Sequence, residues 1–181
     1  FKSGMAQAIE AIKSQLKAEV VTGKKVVGID KQNDGYQVYF ANDEQPLFSQ
    51  LVVLATPAYE AAAILSSLSQ DLALNLSKIP YVPVNVVVTG YQKQKFGVEV
   101  DGFGFLVPKK EKRKILGSLW TSSIFPNQAP KDYVALRTMV GGAISPELTE
   151  LDDEQTVDTV NKELYEIMGI KAEPEFVKVF R

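Results

Sequence analysis

Two residue types are missing altogether from these 181 residues, cysteine and histidine. Without cysteine there is no disulfide framework, no thiolate nucleophile and no Cys-ligated zinc or iron–sulfur site. Without histidine there is no Ser-His-Asp arrangement, no His-Glu zinc site and no imidazole general base. Chemistry carried by this chain therefore has to come through a cofactor or through residues it does not contain. Positive charge is not in surplus either: 20 Lys and Arg against 22 Asp and Glu leave a net charge of −2. That balance gives no overall footprint for nucleic acid or an anionic membrane surface. No apolar run approaches the roughly 20 residues of a bilayer-spanning helix. The opening Phe1 to Glu10 lacks the charged segment and apolar run of a secretory leader. A soluble, cytoplasmic protein is the expectation. The chain starts on Phe1 and finishes in the apolar-alternating run Glu175 to Arg181, so both ends read as cut.

What is present is a chain with 45% hydrophobic residues, enough to bury one core or two smaller ones. Met5, Ile9, Ile12 and Leu16 recur at helical spacing and predict an amphipathic helix ending before Val20. Lys24 to Asp30 and Tyr36 to Ala41 flank an Asp34-Gly35 turn, a hairpin signal in which glycine is expected to supply a positive φ. A second turn is expected around Asn42-Asp43. Leu51 to Leu54 is continuously apolar, the pattern of a strand buried on both faces, and ends at Ala55-Thr56-Pro57. Ala61, Ala62, Ile64, Leu65 and Leu68 then supply one helical face behind that proline.

Prolines 80 and 83 mark an extended crossover, and a domain boundary is placed there, with residues 1–78 in one domain and 79–181 in another. Val84 to Tyr91, Gly102 to Pro108, Ile115 to Ser122 and Tyr133 to Val140 read as strands of one sheet. Asp152 with Gln155 forms a capping box, Val157, Val160, Leu164 and Ile167 form an apolar face, and Gly169 closes the last helix. Phe176 to Phe180 completes the sheet. The fold class is α+β, a mixed and largely antiparallel sheet with flanking helices.

Generic motifs are absent: no G-x-G-x-x-G, no P-loop and no metal-ligand spacing, so no catalytic and no metal residue is nominated. Asp152, Asp153 and Glu154 sit where carboxylates complement a helix dipole. Lys109 to Arg113 reads as a solvated loop. Gly102 and Gly104 flank Phe103 in a strand, where glycine marks either a bulge or a close approach to the backbone. Arg137 is either a paired residue on the sheet face or a ligand contact.

Taken together, four stretches resemble the protoporphyrinogen oxidase family, the flavin-dependent and oxygen-using porphyrinogen oxidases within the monoamine-oxidase-like flavoproteins. The stretches are Phe1 to Met5 with its helix, although Ser3 replaces a common glycine, and Val26 to Ile29 with Asp34-Gly35 and Leu51 to Pro57. The others are Gly102 to Pro108 followed by Leu116-Gly117, and Ser122 to Pro126 followed by Leu136 to Gly142. The resemblance covers essentially the whole chain.

The resemblance implies hydride abstraction from a porphyrinogen, protoporphyrinogen or coproporphyrinogen, onto FAD, with O2 as acceptor, in heme biosynthesis. It implies that residues 1–78 are part of an FAD-binding domain and 79–181 a substrate-binding domain. It assigns Val26, Ala55, Thr56 and Pro57 to the cofactor, and Phe103, Gly104, Leu106 and Met139 to the substrate pocket. Gly104 is expected to be where the ring passes closest to the backbone. The family's glycine fingerprint would lie before Phe1 and a further flavin-contacting element after Arg181, so these residues alone are expected to bind FAD poorly and to be inactive. Nucleic acid is not an expected partner, whereas a membrane surface or a heme-pathway enzyme is a peripheral one. The competing readings are another amine-oxidase-like flavoprotein and a non-catalytic tetrapyrrole-binding module.

Overall fold

A computed structural model describes residues 4–42 and 45–181; the Phe1-Lys2-Ser3 part of the first motif, and Asp43 of the second turn, lie outside the described residues. The chain divides into two compact units, Phe1–Tyr81 and Val82–Arg181.

The first unit opens on helix α1, Ala6–Gln15, whose stripe of Met5, Ile9, Ile12 and Leu16 is more than half exposed throughout. An apolar face needs another element to bury it, and none of the described residues does so. Strands β1 (Val26–Gln32), β2 (Gly35–Phe40) and β3 (Leu47–Ser49) form an antiparallel sheet in that order. Gln32 pairs with Gly35, so the hairpin turn is Asn33-Asp34 and Gly35 already belongs to β2.

That corrects the expected role of the glycine. Gly35 has no positive φ; a Cβ there would lie 2.9 Å from Gln50 Cα and from the Phe48 ring, so the residue is small because the chain beyond β3 crosses it. The short strand β3 carries no alternating signal long enough to read from sequence.

Leu51 to Leu54 is corrected as well. It forms no strand ladder with the described residues: Leu51 and Val53 are exposed, whereas Val52 and Leu54 pack against the small core of Ile29, Val38, Ile64 and Leu65. A continuous apolar run needs cover on both faces, and here only one face has it. Helix α2, Ala58–Leu65, follows with Pro57 as its N-cap and buries Ala61, Ala62, Ile64 and Leu65 of the expected face, whereas Leu68 lies in the turn beyond the helix and packs against the same small core from there. Helix α3, Gln70–Ser77, is capped by the Ser69 hydroxyl, which accepts from Leu72 N.

The second unit is one five-stranded antiparallel sheet. Its strands are β4 (Val84–Gln92), β5 (Gly104–Leu106), β6 (Ile115–Leu119), β7 (Tyr133–Gly141) and β8 (Phe176–Phe180), in the order β5-β6-β7-β4-β8. The short helices α4 (Lys93–Phe96) and α5 (Thr121–Ile124) sit in its connections. Helix α6, Asp153–Met168, has the capping box between Asp152 and Gln155 and a left-handed Gly169 at its end, as the sequence predicts. It covers one sheet face, where Val160 and Leu164 join Val87, Tyr91, Val134, Leu136 and Val140 in a closed core.

The mixed α+β architecture with antiparallel sheets is therefore the expected one. No helix among the described residues is long and apolar enough to cross a membrane, and no cluster of ligating side chains among them could hold a metal ion.

Candidate functional site

Residues directly opposite one another in antiparallel strands share a face, and faces alternate along each strand. The register of the five-stranded sheet therefore sorts its side chains. Phe105, Ser118, Thr138, Val87 and Val179 form one row across all five strands on the face that α6 covers, and the buried Ser118 and Thr138 hydroxyls lie 3.0 Å apart within it. On the other face, one row reads Leu106, Gly117, Met139, Val86, Phe180 and the next reads Gly104, Leu119, Arg137, Val88, Lys178. A partial third row holds Ala135, Gly90 and Phe176.

This second face is open. Leu106 is 75% exposed and Phe180 is 52% exposed, while Leu119, Met139, Val86 and Val88 are half-buried. Solvated sheet faces ordinarily carry polar side chains; this one is a low apolar floor, kept flat by four small residues, Gly90, Gly104, Gly117 and Ala135. Arg137 and Lys178 are its only charges between Val84 and Gly90, and both are exposed.

Three of the four proposed substrate residues thus lie on one surface, Leu106 and Met139 in the same row with Gly117 between them, and Gly104 in the next. Phe103, just before β5, is 74% exposed, and its carbonyl accepts from Trp120 N at 2.9 Å. The structure gives Gly104 a further reason to be glycine. Its φ of +123° lies in the glycine-favoured region, and a Cβ there would collide with the Ser118 carbonyl oxygen and sit 2.8 Å from Leu119 Cα. Gly117, at φ +155°, would likewise strike the Phe105 carbonyl. What comes close to Gly104 is the backbone of β6, so the pairing of β5 with β6 requires the glycine whatever lies on the floor.

Sequence reasoning missed Leu119, Val86, Val88, Phe176 and Phe180 on this surface. The signal was there: Val86-Val87-Val88 in β4 is continuously apolar and β8 is apolar at all but Lys178, so both of their faces need cover. For Arg137, which the sequence allows as a paired residue or a ligand contact, the register supplies its place beside Lys178 across one strand.

At one end of the face the Glu175 carboxylate gathers Lys95 Nζ at 3.0 Å, the Tyr133 hydroxyl at 2.8 Å and Gln92 Nε2 at 3.1 Å. The Lys95 hydrogen bond foremost, then that of Tyr133, hold its carboxyl below the usual glutamate range. Glu175 is thereby engaged at the end of the floor. A separate cleft of about 750 Å3, lined by Val98, Val100, Ser122, Pro126, Lys131 and Tyr133 among others, contains none of the four expected substrate residues.

The four expected cofactor residues lie in the first unit. Val26 is half-buried at the start of β1, an edge strand, and packs toward Ile29 and Val38. Ala55, Thr56 and Pro57 are exposed in the extended segment before α2, and the Thr56 hydroxyl has no hydrogen bond to a described residue. Small exposed side chains and an edge strand whose outer ladder side pairs with no described strand fit a role in lying against a flat cofactor. A phosphate-cradling glycine turn is not part of this set.

The whole chain, residues 1–181, matches the family model described as flavin containing amine oxidoreductase. Chloroplastic protoporphyrinogen oxidase of Nicotiana tabacum is 32% identical over 177 residues, covering 93% of this chain and 32% of that protein. Coproporphyrinogen III oxidase of Bacillus subtilis (strain 168) is 28% identical over 182 residues, covering 100% of this chain and 38% of that protein. A crystal structure from Exiguobacterium sp. 255-15 superposes with a TM-score of 0.84 at 20% identity, covering 99% of this chain and 39% of that one. The chain thus spans about a third of the length of the curated relatives it matches.

Proposed function

The chain belongs to the flavin-containing amine oxidoreductase family, and from that premise we propose that its protein oxidises a porphyrinogen to the porphyrin, passing hydride to FAD and from there electrons to O2, within heme biosynthesis. One observation carries the reading: the open apolar floor of Leu106, Leu119, Met139, Val86, Val88 and Phe180, broad enough to span five strands. A flat macrocycle buries apolar area on such a surface, at roughly 25 cal/mol per Å2, whereas a small amine would leave most of it wet. The porphyrinogen substrates named for the two relatives above agree with that choice.

In this proposal the second unit lies in the substrate domain and the first contributes to the cofactor domain. When bound, the flavin supplies the hydride acceptor. Val26, Ala55, Thr56 and Pro57 would hold it from this chain. Leu106, Met139 and their neighbours bind the ring, orient it and keep water from its face. No side chain of this chain is assigned a proton or a covalent step. The location we propose is cytoplasmic, with at most peripheral membrane contact.

The deciding assay uses the full-length, flavin-loaded protein. Porphyrinogen should be oxidised with O2 consumed and flavin bleached anaerobically, while simple amines should leave the flavin spectrum unchanged. Turnover of amines without turnover of porphyrinogen would sink the proposal in favour of an amine oxidase. A tightly bound tetrapyrrole without any flavin would favour the non-catalytic module.

A further inference from the structure

The open floor carries two positive charges, Arg137 and Lys178, and the structure gives neither a partner. No ion pair or side-chain hydrogen bond joins either one to another described residue; Arg113 with Glu163 and Glu166, Lys95 with Glu175, and Arg181 with Asp153 are paired, whereas lysines such as Lys131 and Lys171 are as unpaired among the described residues, so what sets Arg137 and Lys178 apart is their place on the apolar face. Their placement is set by register. Arg137 on β7 and Lys178 on β8 both stand opposite Val88 on β4, one on either side of it. Two interstrand spacings separate their backbones by about 10 Å, and both side chains are long enough to reach toward a common edge of a ligand lying on the row of Leu106, Met139, Val86 and Phe180.

Glu175, the carboxylate at the end of the face, is already taken up by Lys95, Tyr133 and Gln92. An apolar floor with two unpaired cations and no free anion between Val84 and Gly90 is complementary to a flat apolar body with carboxylates on its rim.

We propose that Arg137 and Lys178 are specificity-determining residues that each receive one carboxylate of the ring, so that this site takes carboxylate-bearing rings in preference to neutral ones of the same shape. The inference rests on the porphyrinogen reading above and adds to it the two side chains that read the substrate's charge. Arg137 offers a planar fork suited to a bidentate carboxylate, and Lys178 a point charge. Neither takes part in hydride transfer, so their contribution belongs to binding.

The experiment is steady-state kinetics of the full-length, flavin-loaded enzyme with coproporphyrinogen and with the same ring fully esterified. Arg137→Met and Lys178→Met are compared with wild type, and Arg137→Lys serves as the charge-conserving control. Each Met variant should raise KM for the free acid about tenfold, as loss of one charge-assisted hydrogen bond does, with kcat little changed. KM for the ester should move less than twofold, and R137K should recover part of the loss.

Loss of the acid-over-ester preference in both Met variants confirms the pair. If wild type turns over porphyrinogen but the variants keep the acid-to-ester ratio, the pair is wrong and the porphyrinogen reading survives. If wild type turns over neither ring, that reading itself has failed. Lys178 is also on an edge strand, where lysine guards against sheet-to-sheet association. A K178M enzyme that aggregates yet keeps its KM for the acid would assign it that role and overturn its part of the proposal.

Discussion

The two units deal with apolar sequence in opposite ways. In the second, α6 lies across the sheet and closes a core in which Val87, Leu136, Val140, Val160 and Leu164 are fully buried. In the first, among the described residues, only Ile29, Val38, Ile64 and Leu65 form a buried hydrophobic cluster, while the α1 stripe and Leu51 and Val53 remain exposed. Both units have comparable amphipathic patterns. The difference is whether the facing element is among the described residues, because burial and not propensity supplies most of a helix's stability.

The sharpest way to break that comparison is a cavity. Leu164→Ala removes a fully buried side chain and should cost about 2–5 kcal/mol, read as a lower urea midpoint at unchanged slope. An unchanged midpoint would mean that the second unit is not the closed body described above.

Gly104→Ala should cost about 3 kcal/mol, combining a strained positive φ with a Cβ driven into β6. Thermal unfolding of the full-length protein checks it, with the proposed activity per bound flavin in the surviving protein close to wild type. A stable variant with lowered turnover would return Gly104 to the substrate pocket.

Smaller still is the Glu175 clasp. Its folded pKa is depressed by Lys95 and Tyr133, so its contribution is present above the ordinary value of 4.5 and disappears as pH falls through the folded one. The melting difference between wild type and Glu175→Gln should accordingly be seen at pH 7 and shrink below about pH 4. A difference that grows in acid would reverse the sign and discard the clasp.

The least effect is expected in α1. Ile12, 63% exposed, should tolerate Ile12→Ala within about 0.5 kcal/mol in the 181-residue chain. Running the same substitution in the full-length protein sharpens the contrast, since a loss there alone would show that another part of the protein covers the stripe.

Local signals proved the most legible in the sequence. Asp152, Gln155 and Gly169 bound a helix by contacts within a few residues of each other, and Ala61, Ala62, Ile64 and Leu65 report their buried face by spacing alone. The hairpin of β1 and β2 was legible too, although the reason for Gly35 was not, because the atoms that crowd it come from residues 48–50. Of the candidate site, motif resemblance reached Leu106 and Met139 but could not say that they share a row. It did not reach Val86, Val88 or Phe180, whose strands are far apart in sequence.

The sequence by itself therefore determined the absence of thiol and imidazole side chains from these 181 residues, the limits of α6, most of the strands and the family. Only the tertiary structure decided that Leu51 to Leu54 is covered on one face, that Gly104 yields to a neighbouring backbone, and that Arg137 and Lys178 stand on either side of Val88. The physical reason is the two-residue period of a strand. It tells each residue which neighbours share its face, but which face is covered, and which strand lies alongside, is settled by long-range pairing that no local window contains.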